Sequence, residues 1–162
     1  MAKKICVIKT SLRLNSNSDQ LADAFIQGAK ESGNSVEEIS LKDKNIAFCK
    51  GCLACLKLGE CVIKDDANSI TEHIKTSRCY CIGQRRFIIM KCQDKWKSWL
   101  IELILFIHLI INLRDVYLLS TAAENEEGVD KRAINGLKGW VNCYPKAHFV
   151  GSVFAGGVDI PK

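Results

Sequence analysis

Short apolar runs alternate with amphipathic segments along most of the chain. The apolar runs have the length of strands and are rich in β-branched residues, so they predict strands at 3–10, 35–40, 115–120 and 147–157. The segments between them repeat apolar residues every three or four positions, which predicts helices at 19–32, 65–77 and 126–144. Strands alternating with helices indicate a parallel sheet that is covered on both faces.

The stretch between residues 78 and 113 interrupts this order. Its sequence GQRRFIIMKCQDKWKSW, residues 83–99, has neither helical nor strand periodicity. The apolar run 101–113 is shorter than the roughly 20 residues that a membrane-spanning helix needs, and it contains Glu102 and His108. We therefore expect a buried element there and no membrane anchor.

Composition places the chain among single-domain globular proteins. The 162 residues are enough for one domain, and the net charge of +5 is spread along the chain without the basic block of a nucleic-acid-binding protein. The N-terminal segment lacks the long apolar core of a signal peptide, so a cytoplasmic location is expected. Without such a signal, the nine cysteines do not predict a disulfide framework.

The loop TSLRLNSNS, residues 10–18, joins the first strand to the first helix. In an open parallel sheet, ligands bind at the carboxyl ends of the strands, and a helix N-terminus attracts anions. The loop offers groups that suit a phosphate monoester, namely the hydroxyls of Ser11, Ser16 and Ser18, the amides of Asn15 and Asn17 and the guanidinium of Arg13. A polar turn with a good helix cap is the alternative interpretation.

Four cysteines form a second cluster, with the spacing C-x2-C-x2-C-x5-C. They are Cys49, Cys52, Cys55 and Cys61. Four thiolates so closely spaced can surround one metal centre, and soft sulfur ligands favour an iron–sulfur cluster or zinc. A thiol-rich loop without metal and a reversible disulfide remain the alternatives.

These motifs together resemble the flavodoxin-like NAD(P)H-dependent FMN reductase family, in particular its cysteine-motif branch with the iron–sulfur flavoproteins. The resemblance implies a three-layer αβα fold over residues 1–162, with a five-stranded parallel sheet of order 2-1-3-4-5. In the family the 10–18 loop holds the FMN phosphate, although Thr10 and Leu12 replace the usual glycine and proline. The loop STAA, 120–123, would place Thr121 and Ala122 near the flavin, and the four cysteines would ligate a [4Fe–4S] cluster.

The implied function is that of an FMN-dependent oxidoreductase. Electrons would pass from NAD(P)H or a reduced carrier through FMN to a quinone, an electron carrier or another small acceptor, and no side chain need act as an acid or base. The alternatives are an iron–sulfur flavoprotein or flavodoxin-type carrier without its own turnover, and an inactive product. The partners expected are small molecules and further copies of the chain, without nucleic acid or membrane.

The genetic code offers an explanation for residues 78–113. With suitable synonymous codons, Arg78–Ile82 read one base later gives DVIVL, and Gln84–Trp96 read two bases later gives TPIYYYEMSGQM. The family has a strand of the type DVIVxxTPIYY followed by SGQ at this place. Three single-base insertions, near codons 78, 83 and 113, would produce the observed segment and restore the frame. The family's helix after the last strand is also expected to be missing.

Overall fold

The computed structural model describes residues 3–76, 79–85 and 114–158. Five strands form one sheet in which every neighbouring pair is parallel and the order is β2-β1-β3-β4-β5. The strands are β1 Lys4–Lys9, β2 Ser35–Ser40, β3 Cys79–Arg85, β4 Asp115–Thr121 and β5 His148–Ala155. The α/β class and the parallel sheet predicted from the sequence are thus confirmed.

Four helices connect the described strands. They are α1 Asn17–Glu31, the single-turn α2 Cys55–Leu58, α3 Asp66–Thr76 and α4 Lys131–Val141. The three long helices were predicted, whereas α2 lies inside the cysteine loop and is too short for a periodicity signal. The sequence also predicted that α4 begins at 126, but Gly128 takes φ 89° there, and the helix begins only after this left-handed turn.

Strand β1 is buried on both faces, as expected for the interior of a parallel sheet. Ile5 and Val7 pack against Ala22 and Ile26 of α1. On the opposite face, Cys6 and Ile8 belong to a larger core. That core also contains Cys55 and Cys61 of the cysteine loop, Ile70 of α3, Val116 and Leu118 of β4, and Leu137 and Val141 of α4.

The strand order determines where a ligand can bind. Strand β2 lies on one side of β1, and β3 lies on the other side. Ile5 of β1 is therefore paired with Val36 of β2 and with Cys79 of β3. The reversal opens a crevice beyond the carboxyl ends of β1 and β3, which is the ligand position of doubly wound sheets. The loop after β1 and the loop after β4 both start at the carboxyl ends of their strands, so both lie at this edge of the sheet.

Strand β3 falls within the segment for which the sequence raised doubt about a strand. The structure nevertheless describes a strand there, paired with β1 and β4. The apolar run 101–113 and most of the stretch 83–99 lie outside the described residues. None of the described helices has the length and apolar character to cross a bilayer.

Candidate functional site

The loop after β1 ends in a well-formed cap of α1. Ser16 is the N-cap residue, and its Oγ accepts a hydrogen bond from the Asp19 backbone N–H at 3.1 Å. The first N–H groups of a helix have no acceptor within the helix, and their partial positive charge favours an anion. Ser16 satisfies one of them, which leaves the terminus of a 15-residue helix directed at the crevice.

Hydroxyl groups of the loop gather beside this cap in a buried position. Ser16 and Ser18 are 0% and 2% exposed, and their Oγ atoms lie 3.1 Å apart. Thr10 and Ser11 are also buried, at the carboxyl end of β1. Burial of a polar group is costly unless it has partners, and here Ser16 and Ser18 bond to each other while Ser11 accepts from the Arg13 N–H. The loop thus collects satisfied polar groups at the edge where ligands bind in such sheets.

Arg13 remains exposed while its backbone is fixed. Its N–H donates to Ser11 Oγ at 3.2 Å, which holds the turn that presents the guanidinium. An exposed guanidinium beside buried hydroxyls is free to turn toward an incoming anion. Ser11, Arg13 and Ser16 thus lie in the loop, and Ser18 lies in the first turn of α1. Their role as phosphate ligands stays a prediction.

Asn17 has a hydrogen-bond partner that the sequence did not suggest. Its side-chain amide Nδ2 donates to the backbone oxygen of Val158 at 3.1 Å, across 141 positions of sequence. No local pattern could have revealed this partner.

The end of β4 forms the second part of the site. Thr121 and Ala122 are 2% and 5% exposed, and β3 separates their strand from β1. The Ala122 backbone is engaged twice, because its N–H donates to Ala155 O and its oxygen accepts from Val158 N–H. Ser120, two residues earlier in the chain, is 4% exposed, and its Oγ has no hydrogen-bond partner among the residues whose side chains the structure describes.

Ser120 was not among the sequence candidates. A buried hydroxyl without a partner at the ligand-binding edge needs an explanation, and a ligand atom supplies one. The available signal was a hydroxyl residue near the end of an otherwise apolar strand.

An open groove of about 350 Å³ lies beside the loop, between α1 and the ends of β1 and β2. Lys9 lines it and bonds to Asp23 at 2.5 Å and to Glu38 at 2.6 Å. Burial by itself lowers the pKa of Lys9, but the hydrogen bonds to Asp23 and Glu38 outweigh burial and raise the pKa above 10.5. The ion pairs with Asp23 and Glu38 neutralise the charge of Lys9. Within the 10–18 loop, the positive charge that can meet an anion is therefore that of Arg13.

The cysteine loop is anchored at its end and exposed in its middle. Cys55 and Cys61 are buried, Cys49 is half-buried and Cys52 is exposed. Asn68 of α3 fixes Cys61, since its Oδ1 accepts from the Cys61 N–H at 3.1 Å. Leu53, Leu56 and Leu58 between the cysteines are exposed apolar side chains, and so is Val62 directly after Cys61.

The four thiols do not form a ligand set in the described part of the chain. Burial raises the pKa of Cys55, and Cys49 and Cys52 raise it further through their charge. Within the described ranges, no three His, Cys, Asp or Glu side chains are gathered as metal ligands. Sulfur donors fit an iron–sulfur cluster chemically, but the loop as described does not have the arrangement of one.

The site gathers more buried hydroxyls than a helix cap alone requires. The cap uses Ser16 and the turn before it uses Ser11, but Ser18 is buried as well. Ser120 Oγ, which has no hydrogen-bond partner among the described residues, lies at the same edge of the sheet. The NADPH-dependent FMN reductase family matches residues 3–83, half of the chain, including the phosphate loop and the cysteine loop. This chain belongs to the NADPH-dependent FMN reductase family.

Curated relatives of this FMN reductase family member carry the name iron-sulfur flavoprotein. One from Archaeoglobus fulgidus is 34% identical over 67 residues, which are 41% of this chain and 30% of the relative. One from Methanosarcina thermophila is 32% identical over 74 residues, 46% of this chain and 39% of the relative. The chain thus matches less than half the length of these relatives.

Solved structures support the fold over nearly the whole chain. An NAD(P)H:quinone oxidoreductase from Methanothermobacter marburgensis superposes with a TM-score of 0.72 at 15% identity, covering 98% of this chain and 89% of that one. An NADH:FMN oxidoreductase in its apo form gives 0.66 at 15% identity, covering 96% and 76%. A flavodoxin from Streptococcus pneumoniae also matches, at 0.51 and 9% identity, covering 96% and 86%. The reductase family member therefore has a flavodoxin-like fold.

The raised pKa of Lys9 gives a pH-dependent prediction. Its ion pairs stabilise the fold fully below the unfolded pKa of 10.5, and this contribution is lost as the pH rises through the higher folded pKa. We expect Lys9→Met to lower the free energy of unfolding by about 1 kcal/mol at pH 7, because both carboxylates remain accessible to water. Urea unfolding from pH 7 to 12 measures the difference.

The difference between wild type and Lys9→Met should shrink once the pH exceeds 10.5. Lys30→Met, at an exposed position of α1, is the matched control and should change stability little at any pH. A difference for Lys9→Met that grows with increasing pH would contradict the assignment.

Proposed function

We propose that the chain is an FMN-dependent oxidoreductase that takes electrons from NAD(P)H or a reduced carrier. The acceptor is a quinone, an electron carrier or another small molecule. The observation that carries this proposal is the set of buried hydroxyls at the capped N-terminus of α1. Family membership and the names of the structural neighbours support the same conclusion.

The protein's part in this function is to bind and orient. The hydroxyls of Ser11, Ser16 and Ser18 and the N–H groups of α1 would receive the phosphate oxygens, and Arg13 would supply the positive charge. Bound FMN would supply the redox chemistry itself. No side chain is needed as a general acid or base, so we assign no catalytic residue.

The end of β4 would lie along the flavin ring. Thr121 and Ala122 are the proposed contacts, and their burial excludes water from that side. The backbone of Ala122 is already bonded within the protein, so its contribution is the methyl surface rather than a hydrogen bond. Ser120 Oγ, which has no partner within the described part of the chain, is the group that a polar ring atom would satisfy.

Flavin titration tests the phosphate site. We expect the chain to quench FMN fluorescence on binding and to bind riboflavin, which lacks the phosphate, more weakly. Arg13→Ala should weaken FMN binding about tenfold, because a charge-assisted hydrogen bond contributes about 1.5–3 kcal/mol and this one is exposed. Lys30→Ala, far along α1, is the control for a lost surface charge. Equal affinity for FMN and riboflavin would contradict the phosphate assignment.

A second proposal concerns the cysteine loop: Cys49, Cys52, Cys55 and Cys61 ligate a [4Fe–4S] cluster. The names of the curated relatives support it, and so does the four-sulfur donor set on one loop. Because the described thiols are not gathered, the loop would have to close when the metal binds. Coupling of metal binding to local folding is common for such sites.

Iron and acid-labile sulfide analysis after anaerobic reconstitution tests the cluster. We expect about four irons per chain in the wild type. Cys52→Ser, at the exposed cysteine, should lose most of them. Cys143→Ser is the matched control, because it removes an exposed thiol outside the loop. Equal iron in all three proteins, at any level, would refute the assignment.

A third proposal concerns the gene: residues 78–113 are the family segment in shifted reading frames. The family match ends at residue 83, which is consistent with the loss of family sequence beyond it. In the restored frame DVIVL would fill the place of β3, and the sheet would keep the flavodoxin order 2-1-3-4-5. The restored TPIYYYEMSGQM would form the loop beneath the flavin ring.

Resequencing genomic DNA across codons 75–115 tests the frame. If the segment arose from sequencing errors, the new reads should differ from the gene sequence implied by the protein sequence at three single bases. If the gene is decaying, the reads should confirm three insertions relative to the intact gene of a closely related strain. A confirmed sequence, together with the same central segment in functional relatives, would overturn the proposal.

Oligomeric state, cytoplasmic location and the absence of nucleic-acid or membrane partners stay predictions.

A further inference from the structure

The chain after β5 turns back over the loop that follows β4. We call residues 156–158 the return segment and residues 122–125 the β4 loop. The N–H of Gly157 donates to Glu124 O at 3.3 Å and the N–H of Val158 to Ala122 O at 3.0 Å. The N–H of Ala122 donates to Ala155 O at 3.1 Å. Two backbone hydrogen bonds therefore join the return segment to the β4 loop, and a third joins the β4 loop to the last residue of β5.

Gly156 shows how close this contact is. A Cβ at Gly156 would lie 2.4 Å from Asn125 Oδ1, 2.7 Å from Glu124 O and 2.8 Å from Asn125 Cα. Two of these atoms belong to the backbone, so a rotamer change could not relieve the overlap. The return segment and the β4 loop are in direct main-chain contact and form one packed unit.

Asn17 connects this unit to the phosphate loop. Its Nδ2 donates to Val158 O at 3.1 Å, and it is the first residue of α1, directly after the Ser16 cap. The bond joins the helix N-terminus, where the phosphate is proposed to bind, to the segment that supports Thr121 and Ala122. The Nδ2 hydrogen that is bonded to Val158 O cannot donate to a phosphate unless this bond breaks first.

We propose that Asn17 is a positioning residue that sets the distance between the phosphate loop and the β4 loop, and not a phosphate ligand. This inference rests on the proposed flavin function. Its consequence is that the Asn17 amide affects both ends of the flavin, since it places the ring-side loop relative to the phosphate. A direct phosphate ligand would affect the phosphate end alone.

Comparison of FMN with riboflavin separates the two roles. Asn17→Ala should weaken the binding of FMN and of riboflavin by similar factors of about 3 to 10, the value of one net hydrogen bond. Arg13→Ala should weaken FMN and leave riboflavin nearly unchanged. If Asn17→Ala weakens FMN while riboflavin is unaffected, Asn17 is a phosphate ligand and the proposal is wrong.

Asn34 provides a matched control at the other end of α1. Its Nδ2 also donates to a backbone oxygen at 3.1 Å, that of Ala29, and its Oδ1 accepts from the Lys3 N–H. Asn34→Ala should therefore lower thermal stability about as much as Asn17→Ala, without changing the affinity for either flavin. Equal losses of flavin affinity in both variants would show that Asn17 acts only through global stability.

Hydrogen exchange on the flavin-free protein tests the connection independently of any ligand. Asn17→Ala should speed exchange of the Gly157 and Val158 amides severalfold, whereas Arg13→Ala and Asn34→Ala should not. Unchanged exchange in Asn17→Ala would refute the positioning role. If the wild type binds no flavin but the exchange rates respond as expected, the proposed function fails while the structural connection stands.

Discussion

The geometry of the candidate site depends on the burial of β1. This strand lies between β2 and β3, and side chains of other elements cover both of its faces. Ile5 and Val7 pack toward α1, and Cys6 and Ile8 pack toward the opposite core. With β2 on one side and β3 on the other, the strand cannot slide by one residue without exchanging its two faces. The position of the loop that follows it is fixed for the same reason.

The alternation of β1 also explains its charged last residue. Lys9 follows Ile5 and Val7 on the face of α1, where an unpaired ammonium would be costly. Asp23 from α1 and Glu38 from β2 meet it there. The charge is thereby retained at the edge of the sheet without becoming the anion-binding group, and the phosphate loop one residue later supplies that group through Arg13.

The sequence predicted what local periodicity determines. The apolar runs gave β1, β2, β4 and β5, and the amphipathic segments gave the three long helices. The start of α4 was wrong because tertiary structure uses Gly128 in a left-handed turn. The segment containing β3 had no interpretable pattern, and the structure still forms a parallel pairing there.

The candidate site was predictable by residue type, but not by partner. The serines of the loop are close together in sequence, so a helix cap brings them together in space. Asn17 has the same local setting, yet its partner Val158 comes from the far end of the chain. The thiols of the cysteine loop show the reverse case, because closeness in sequence does not by itself gather Cys49 and Cys61 into one ligand set.

The contact between Ser16 and Ser18 limits how their protons can be arranged. The two hydroxyls carry two hydrogens, and only one hydrogen can lie between oxygens 3.1 Å apart. Ser16 Oγ already accepts from Asp19, so whichever serine donates within the pair, the other hydrogen must point elsewhere. The pair therefore always has one O–H directed outside the pair, and rotation of the two hydroxyls can exchange which serine carries it.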